Sequence, residues 1–247
     1  DWSRPLRVLV AGGGTGDGLI QLATMLTKAK KPYEITYLDL SEASRSIAEA
    51  RARMRRLEGI TFHTASLLEA PDHGQFDYID CCGVLHHLPD PAAGFAALRA
   101  ALAPGGGLGF MVYAPYARSG VYPLQEAFGA LFAGLPPAAR LAEAKRIVAD
   151  LPKGHPFRTN LNLGDHHQSD AGFYDLLLHG QDRAYDVTSL LDELSGADLS
   201  LAGLVTPALY DLSRIAAVPE GMPEHEAMAV AEKLRGTLKM HTGYAVP

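Results

Sequence analysis

Residues 8–18 decide the fold, and they run Val8-Leu9-Val10-Ala11-Gly12-Gly13-Gly14-Thr15-Gly16-Asp17-Gly18. An apolar, β-branched run ends abruptly at glycines, and apolar residues from Leu19 to Leu26 then recur at helical spacing. Glycine lets the backbone adopt positive φ and admits a ligand where a Cβ would block it. The first turn of a helix adds unpaired N–H groups that face the same turn. The stretch therefore predicts a strand, a tight turn and a helix that bind a nucleoside-containing cofactor.

The composition is that of an ordinary globular protein, with 47% hydrophobic and 20% charged residues among 247. This length suits one α/β domain with an inserted cap. The net charge of −6 argues against a nucleic-acid partner, which would require a basic face. No run approaches 18 apolar residues and no signal peptide precedes the first strand, so no membrane partner is expected. Adjacent Cys81 and Cys82 are poor disulfide partners, which predicts a cytoplasmic protein.

Strand patterns alternate with helix patterns through the first half of the chain. Strands are predicted at 8–11, 34–39, 60–65, 76–83 and 108–114, with helices after Gly18, after the cap residue Ser41 and from Pro91 to Leu102. This alternation predicts an α/β fold with a doubly wound, Rossmann-like, mostly parallel sheet and helices on both faces. Ligands then bind at the carboxyl ends of the strands.

The predicted organisation has three parts within a single domain. Residues 1–114 form the cofactor-binding half, and residues 115–186 form an inserted cap on the acceptor side. In this cap, 119–151 is predicted helical and 152–186 irregular and polar, although 170–179 carries an apolar helical pattern. Residues 187–247 complete the sheet, with a helix at 187–194, a strand at 199–206 and a helix at 223–239.

The glycine turn on its own is compatible with three classes of cofactor site. A phosphate-binding loop of the Walker type requires a Lys after the glycines, and none follows. The dinucleotide fingerprint G-x-G-x-x-G is met by Gly12 and Gly14 but has Asp17 at its third glycine. A looser dehydrogenase pattern is met by Gly12, Gly16 and Gly18, but the Tyr-x-x-x-Lys of such enzymes is missing from the sequence.

Four segments in order resemble the class I S-adenosylmethionine-dependent methyltransferases. Gly12–Gly16 resembles the G-x-G-x-G loop of that family, and Asp39 ends the second strand where the family binds the ribose hydroxyls. Gly83–Pro91 is similar to the segment after the fourth strand, and Leu98–Gly107 to the helix and Pro-Gly-Gly turn before the fifth. The resemblance covers about residues 6–114. It implies a seven-stranded sheet and S-adenosylmethionine as cofactor, with S-adenosylhomocysteine as product.

The resemblance also implies which residues bind the cofactor and what the chain does. The cofactor-binding residues are Ala11, Gly12, Gly13, Gly14, Gly16, Asp39, Leu40, Ser66, Leu67, Cys82 and Gly83. The implied activity is methyl transfer to an O or N atom of a small molecule or a protein side chain, without nucleic acid or membrane as partner.

Two departures from the family pattern keep other functions open. Many members carry an acidic residue two positions before the first glycine, where this chain has Val10, and an Asp after the third strand, where it has Ser66. Both departures favour a non-catalytic module that keeps the fold for binding or interaction. An NAD(P)-dependent oxidoreductase is the third possibility.

Methyl transfer from a sulfonium requires alignment and exclusion of water more than a fixed catalytic motif. The candidate catalytic residues are His87, Tyr113, His166 and His167. His86 and His87 follow the fourth strand, although one of them can simply pack, and Tyr113 and Tyr116 follow the fifth and can line the acceptor site or the core. His166 and His167 lie among Asp165, Asp170, His179 and Asp182, where imidazole beside carboxylate suits a general base. The same group can serve as surface caps or metal ligands, but its spacing matches no metal motif and no metal is predicted.

Overall fold

The computed structural model describes residues 4–247 except the side chain of Asp165, and they divide into two compact units. Unit 1 contains the described residues through Tyr113 together with Val187–Ala208 and Met240–Pro247. Unit 2 contains Ala114–Asp186 and Leu209–Lys239. The predicted role of residues 115–186 as an acceptor-side cap stays a prediction.

Unit 1 is built on a seven-stranded sheet, which confirms the predicted fold class. Its strands are β1 (Leu6–Ala11), β2 (Tyr33–Asp39), β3 (Ile60–Thr64), β4 (Phe76–Cys82), β5 (Leu102–Tyr113), β6 (Ser200–Leu204) and β7 (Met240–Val246). Their order is β3-β2-β1-β4-β5-β7-β6, and the pairs from β3 to β5 are parallel. β7 lies antiparallel to both β5 and β6. The chain therefore reverses its direction across the sheet between β3-β2-β1 and β4-β5, as doubly wound sheets do.

The helices follow the predicted order in the first half of the chain. They are α1 (Asp17–Lys28), α2 (Glu42–Met54), α3 (Pro91–Ala101), α4 (Val121–Leu131), α5 (Pro137–Asp150), α6 (Pro156–Thr159), α7 (Asp165–Gln168), α8 (Asp170–Leu178), α9 (Val187–Gly196) and α10 (Glu224–Arg235). Ser41 accepts from the Ser44 N–H to cap α2, and Asp90 accepts from the Ala93 N–H to cap α3. None of the helices in the described part of the chain has the length and apolar character that a membrane crossing requires.

One core cluster fixes the glycine turn of unit 1 between β1, β2, α1 and α2. Its buried members are Val8, Val10, Leu19, Ala23, Ile35, Tyr37 and Ala48. Because this cluster holds both the strand before the turn and the helix after it, the turn itself has little freedom to move.

The fifth strand, predicted at 108–114, begins at Leu102, so the Pro104-Gly105-Gly106 turn lies within β5, where its pairing with β4 shifts register. Three further expectations differ from the structure. The helix predicted at 223–239 ends at Arg235, because Gly236 adopts left-handed φ of 62° and closes it. Residues 240–246 form β7, which has a weak apolar pattern because its buried positions are His241, Gly243 and Ala245. The segment 152–186 is not irregular throughout, since it contains α6, α7 and α8.

Unit 2 has a core of its own. Its buried cluster contains Val121, Leu124, Phe128, Phe132, Ala144, Phe157, Phe173, Leu176, Leu177 and Leu178. A buried ion pair lies beside it: Arg118 donates to Asp182 at 2.8 Å and to the Tyr122 hydroxyl at 3.0 Å. Gln125 donates to the same Asp182 oxygen at 3.0 Å. This network joins the start of α4 to the segment that follows α8.

Candidate cofactor site

The glycine turn is shaped by the protein around it. Gly12, Gly14 and Gly16 have left-handed φ of 67°, 53° and 91°. Gly13 does not, yet a Cβ there would lie 2.3 Å from the ring of Tyr37. Contacts of that length do not occur between carbon atoms, so a side chain at Gly13 is excluded by sterics alone. The backbone of the turn therefore lies directly on β2.

Two hydrogen-bonding groups of β2 fasten this turn. The Tyr37 hydroxyl donates to the Gly14 carbonyl, and the Gly14 N–H donates to Asp39 Oδ2 at 2.7 Å. The Ser41 N–H donates to the other Asp39 oxygen at 2.8 Å. Burial, and then the Asp39 carboxylate, raise the pKa of Tyr37 well above its ordinary value, so its hydroxyl stays protonated and remains a donor.

Asp39 is thereby held in one orientation at the carboxyl end of β2. A carboxylate offers about four acceptor positions, and two of these are taken by backbone N–H groups. The remaining positions can accept the two hydroxyls of a ribose. The side chain is half-buried, so a ligand can reach it.

Apolar side chains are exposed beside Asp39, where the carboxyl ends of β2 and β3 lie next to one another. Leu40 is 72% exposed and Leu68 is 48% exposed. Ser66 accepts from the Leu68 N–H at 3.2 Å and caps the 3₁₀ helix Leu67–His73. Leu67 itself is buried, so its side chain is not available to a ligand. Exposed leucines beside a carboxylate that can accept ribose hydroxyls suit the flat, apolar face of a base.

At the end of β4 the chain turns back over the glycine loop. Gly83 has φ of 82° and its N–H donates to the Met111 carbonyl of β5 at 3.1 Å. Val84 then contacts Gly12 so closely that a Cβ there would lie 2.4 Å from it. Cys82 is exposed, and its thiol donates to Asp80 at 3.5 Å. Ala11, by contrast, is buried.

His86, His87 and Tyr113 form an aromatic cluster after β4 and at the end of β5. The His86 and Tyr113 ring centroids are 3.9 Å apart, and those of His86 and His87 are 4.2 Å apart. His86 is only 1% exposed, whereas His87 and Tyr113 are half-buried. His86 is therefore the packing residue of the pair, and His87 is the imidazole that a substrate can reach.

His166 and His167 belong to unit 2, on α7. Their ring centroids are 3.8 Å apart, and that of His166 lies 4.9 Å from the Phe157 ring. His167 is exposed. Two carboxylates that the sequence analysis grouped with these histidines form salt bridges: Asp170 pairs with Lys145, and Asp182 pairs with Arg118. The assignment of His166 and His167 as catalytic residues stays a prediction.

Two residues near the turn were missed by sequence reasoning. Tyr37 stands two residues before Asp39, on the same face of β2 by strand alternation, and that spacing was a usable signal. Asp80 lies within β4, where the strand's other carboxylate, Asp77, pairs with Arg4, and a carboxylate in a largely buried strand is unusual and therefore informative. Taken together, the turn, Asp39 and the exposed leucines fit an adenosyl group.

Comparison with known proteins supports this geometry. Residues 9–108 match a family model described as a methyltransferase domain. These residues run from β1 into β5 and include the glycine turn, Asp39 and the segment after β4. An uncharacterised protein of Synechococcus sp. is 34% identical over 203 residues, which cover 80% of this chain and 48% of that protein.

Two further relatives carry functional names. A ubiquinone biosynthesis O-methyltransferase of Psychrobacter arcticus is 32% identical over 96 residues, covering 38% of this chain and 36% of that enzyme. The structure of PKMT2 from Rickettsia typhi in complex with AdoHcy has a TM-score of 0.71 at 15% identity, covering 98% of this chain and 50% of that one. This chain thus spans half or less of the length of these relatives, and the structural likeness demonstrates the fold. Residues 9–108 are therefore a methyltransferase domain, whose cofactor is S-adenosylmethionine, as the glycine turn and Asp39 predict.

Proposed function

We propose that this chain transfers a methyl group from S-adenosylmethionine to an oxygen or nitrogen atom of a small molecule or a protein side chain. The observation that carries the proposal is the fastening of the glycine turn to Asp39, with the Gly14 N–H 2.7 Å from the carboxylate. This hydrogen bond fixes the position of the Asp39 carboxylate, which is proposed to bind the ribose, relative to the glycine turn that is proposed to face the ligand. A module kept only for interaction with other proteins would not require it.

The residues of unit 1 have three tasks in this reaction. When bound, S-adenosylmethionine supplies a methyl group on a positively charged sulfur, which makes it a ready electrophile. Asp39 accepts the ribose hydroxyls, and the glycine turn lets the backbone approach the cofactor without a Cβ in between. The segment Gly83–His87 and Tyr113 occupy the ends of the next two strands, where the acceptor atom meets the methyl group. Alignment and exclusion of water there supply most of the rate.

His87 is the group proposed to take a proton from the acceptor. Its imidazole is half-buried and packs against His86, which in turn packs on Tyr113. Neutral imidazole accepts a proton near pH 7, which is what a hydroxyl or ammonium acceptor must lose before or during the transfer. Tyr113 has the role of holding the two rings in place.

Charge and the relatives support the proposed acceptor class. A net charge of −6 disfavours nucleic acid, so a small molecule or a protein side chain is proposed. The ubiquinone biosynthesis O-methyltransferases matched over about 95 residues favour an oxygen acceptor. Unit 2, which contains the whole of the predicted cap, is proposed to provide the acceptor side, with His166 and His167 among its recognition residues.

Two measurements test the proposal in sequence. Calorimetry with S-adenosylhomocysteine is expected to give micromolar binding, and no binding at millimolar ligand would exclude the enzyme. Release of S-adenosylhomocysteine is then followed with panels of phenols, amines and lysine peptides. A chain that binds the cofactor but releases no product with any panel would be a binding module instead.

A matched pair of variants tests the proposed base. His87→Ala is expected to lower turnover about 100-fold, the middle of the range for general base catalysis, without changing cofactor affinity. His63→Ala removes an imidazole of similar exposure on β3 and should leave turnover unchanged. Equal turnover in both variants would remove His87 from the mechanism.

A further inference from the structure

A second carboxylate lies beside the glycine turn, on β4. Asp80 is the fifth of the seven residues of β4, and it pairs in register with Val10 of β1, two residues before Gly12. Neighbouring residues of paired parallel strands point to the same face of a sheet. Asp80 therefore stands next to Val10 at the base of the turn, where Val10 itself offers no polar atom.

The Asp80 side chain reaches towards the start of α1. Its Oδ2 lies 2.9 Å from the point where a Cβ at Gly18 would be, in the first turn of that helix. The Tyr78 hydroxyl and the Cys82 thiol donate to the other oxygen, Oδ1, at 3.3 and 3.5 Å. Oδ2 accepts no hydrogen bond from any of the residues that the structure describes. One carboxylate oxygen is thus directed at the helix start and left for another donor.

The charge of Asp80 is uncompensated within unit 1. It forms no ion pair with any residue in the described part of the chain, and burial raises the pKa of its carboxyl above the ordinary value. A desolvated carboxylate without a cation is unfavourable, and a cationic ligand group would relieve that cost. The partial positive charge of the α1 N-terminus supplies only part of the compensation.

The other carboxylates near the turn have different partners. Asp39 is held by two backbone N–H groups and faces the ribose position. Asp17 has a side chain that is 84% exposed and forms an ion pair with Arg51 at 2.5 Å. Among the acidic residues within or beside the turn, Asp80 is left with an oxygen available to a cation.

We propose that Asp80 binds the α-ammonium group on the amino-acid portion of S-adenosylmethionine. This assignment rests on the proposed cofactor, and it gives this chain a carboxylate from β4 where β1 carries Val10. An ammonium needs an anionic acceptor in a partly dehydrated site, and an oxygen of Asp80 lies against the glycine-rich start of α1. Because Gly18 has no side chain, Asp80 Oδ2 can lie 2.9 Å from the point that a Cβ would occupy.

The test compares two ligands on two proteins by calorimetry. The ligands are S-adenosylhomocysteine and its desamino analogue, which lacks only the α-amino group; neither carries a sulfonium charge. The proteins are the wild-type chain and Asp80→Asn, which keeps the size of the side chain and an oxygen for Tyr78. We expect the wild type to bind S-adenosylhomocysteine about 10- to 100-fold more tightly than the desamino analogue, and Asp80→Asn to bind both alike.

Every outcome of this comparison decides the proposal. An Asp80→Asn protein that keeps the full preference for the amino ligand would overturn it. So would an equal loss of affinity for both ligands, because Asp80 would then act through the fold. If Asp80→Asn does not fold, Gly18→Ala takes its place, because the new Cβ would lie 2.9 Å from Asp80 Oδ2 and displace that oxygen. Loss of the preference for the amino ligand in Gly18→Ala supports the proposal, and a full preference overturns it. Failure of the proposed cofactor site itself is distinguishable, because the wild type would then bind neither ligand.

Discussion

Adding a single methyl group at Gly13 is predicted to break the glycine turn through Tyr37. In Gly13→Ala the new Cβ would lie 2.3 and 2.6 Å from two ring carbons of Tyr37, where ordinary contact begins at 3.4 Å. The ring is fully buried, so it cannot move aside without disturbing the core of unit 1. Any rotation also separates the Tyr37 hydroxyl from the Gly14 carbonyl.

The magnitude follows from these two effects. Overpacking of this size costs about 1–3 kcal/mol, and loss of the hydrogen bond adds about 1 kcal/mol. Gly13→Ala should therefore lower the free energy of unfolding by roughly 2–4 kcal/mol and weaken the binding of S-adenosylhomocysteine. Backbone strain contributes nothing at Gly13, because its φ lies outside the left-handed range.

The assay is a double-mutant cycle by urea unfolding, followed by far-UV circular dichroism. Gly13→Ala is measured in wild type, in Tyr37→Phe, which keeps the ring, and in Tyr37→Leu, which removes it. We expect the cost of Gly13→Ala to persist with Tyr37→Phe and to fall below about 1 kcal/mol with Tyr37→Leu, a coupling within the range for contacting residues. Gly105→Ala, in β5, is the control. It has open space but φ of 76°, so its cost of about 1–2 kcal/mol should be the same in every Tyr37 background. An equal cost of Gly13→Ala in all three backgrounds would refute the reasoning.

Three further predictions concern other parts of the chain. Asp39→Ala should weaken binding of S-adenosylhomocysteine by about 1–3 kcal/mol in calorimetry, because the ribose hydroxyls lose charge-assisted hydrogen bonds, and wild-type affinity would contradict the assigned site. Arg118→Met should destabilise unit 2 by about 3–5 kcal/mol in urea because it leaves Asp182 buried without its cation, whereas adding Asp182→Leu should restore much of this loss. Arg4 lowers the pKa of Asp77 well below its ordinary value, so the carboxylate stabilises the fold above about pH 4 and loses this effect as the pH falls further. The stability difference between wild type and Asp77→Asn, measured in urea at pH 7, 5 and 3, should therefore be largest at pH 7 and 5 and shrink at pH 3.

Much of unit 1 was predictable because its local signals agree with its fold. The turn at residues 12–16, the caps Ser41 and Asp90 and the apolar runs of the parallel strands all specify the same order of elements. β7 was not predictable in this way. Its inward positions are His241, Gly243 and Ala245, which give almost no alternation in hydrophobicity. The strand is specified by its neighbours β5 and β6, and such partners cannot be recognised from one segment alone.

The candidate site was predicted in its residues but not in its connections. Asp39 and the glycines follow from the motif, whereas the hydroxyl of Tyr37 on Gly14 is a contact across 23 positions of the chain. The pairing of Asp80 with Val10 spans 70 positions and depends on strand order. Spacing along the sequence predicts contacts within one turn or one element. The contacts of Tyr37 and Asp80, in contrast, form only when β2, β1 and β4 align in the sheet.

The position of β7 has a consequence for how this protein is made. β6 pairs with β7 and with no other strand in the described part of the chain, and about 35 residues separate Leu204 from Met240. At about 5–20 residues per second, a ribosome takes roughly 2–7 s to synthesise that interval. Until β7 has also emerged and paired, the edge of β5 is open to other chains. The nascent protein therefore passes through a period of exposure to aggregation, and a chaperone that covers sheet edges would act on it there.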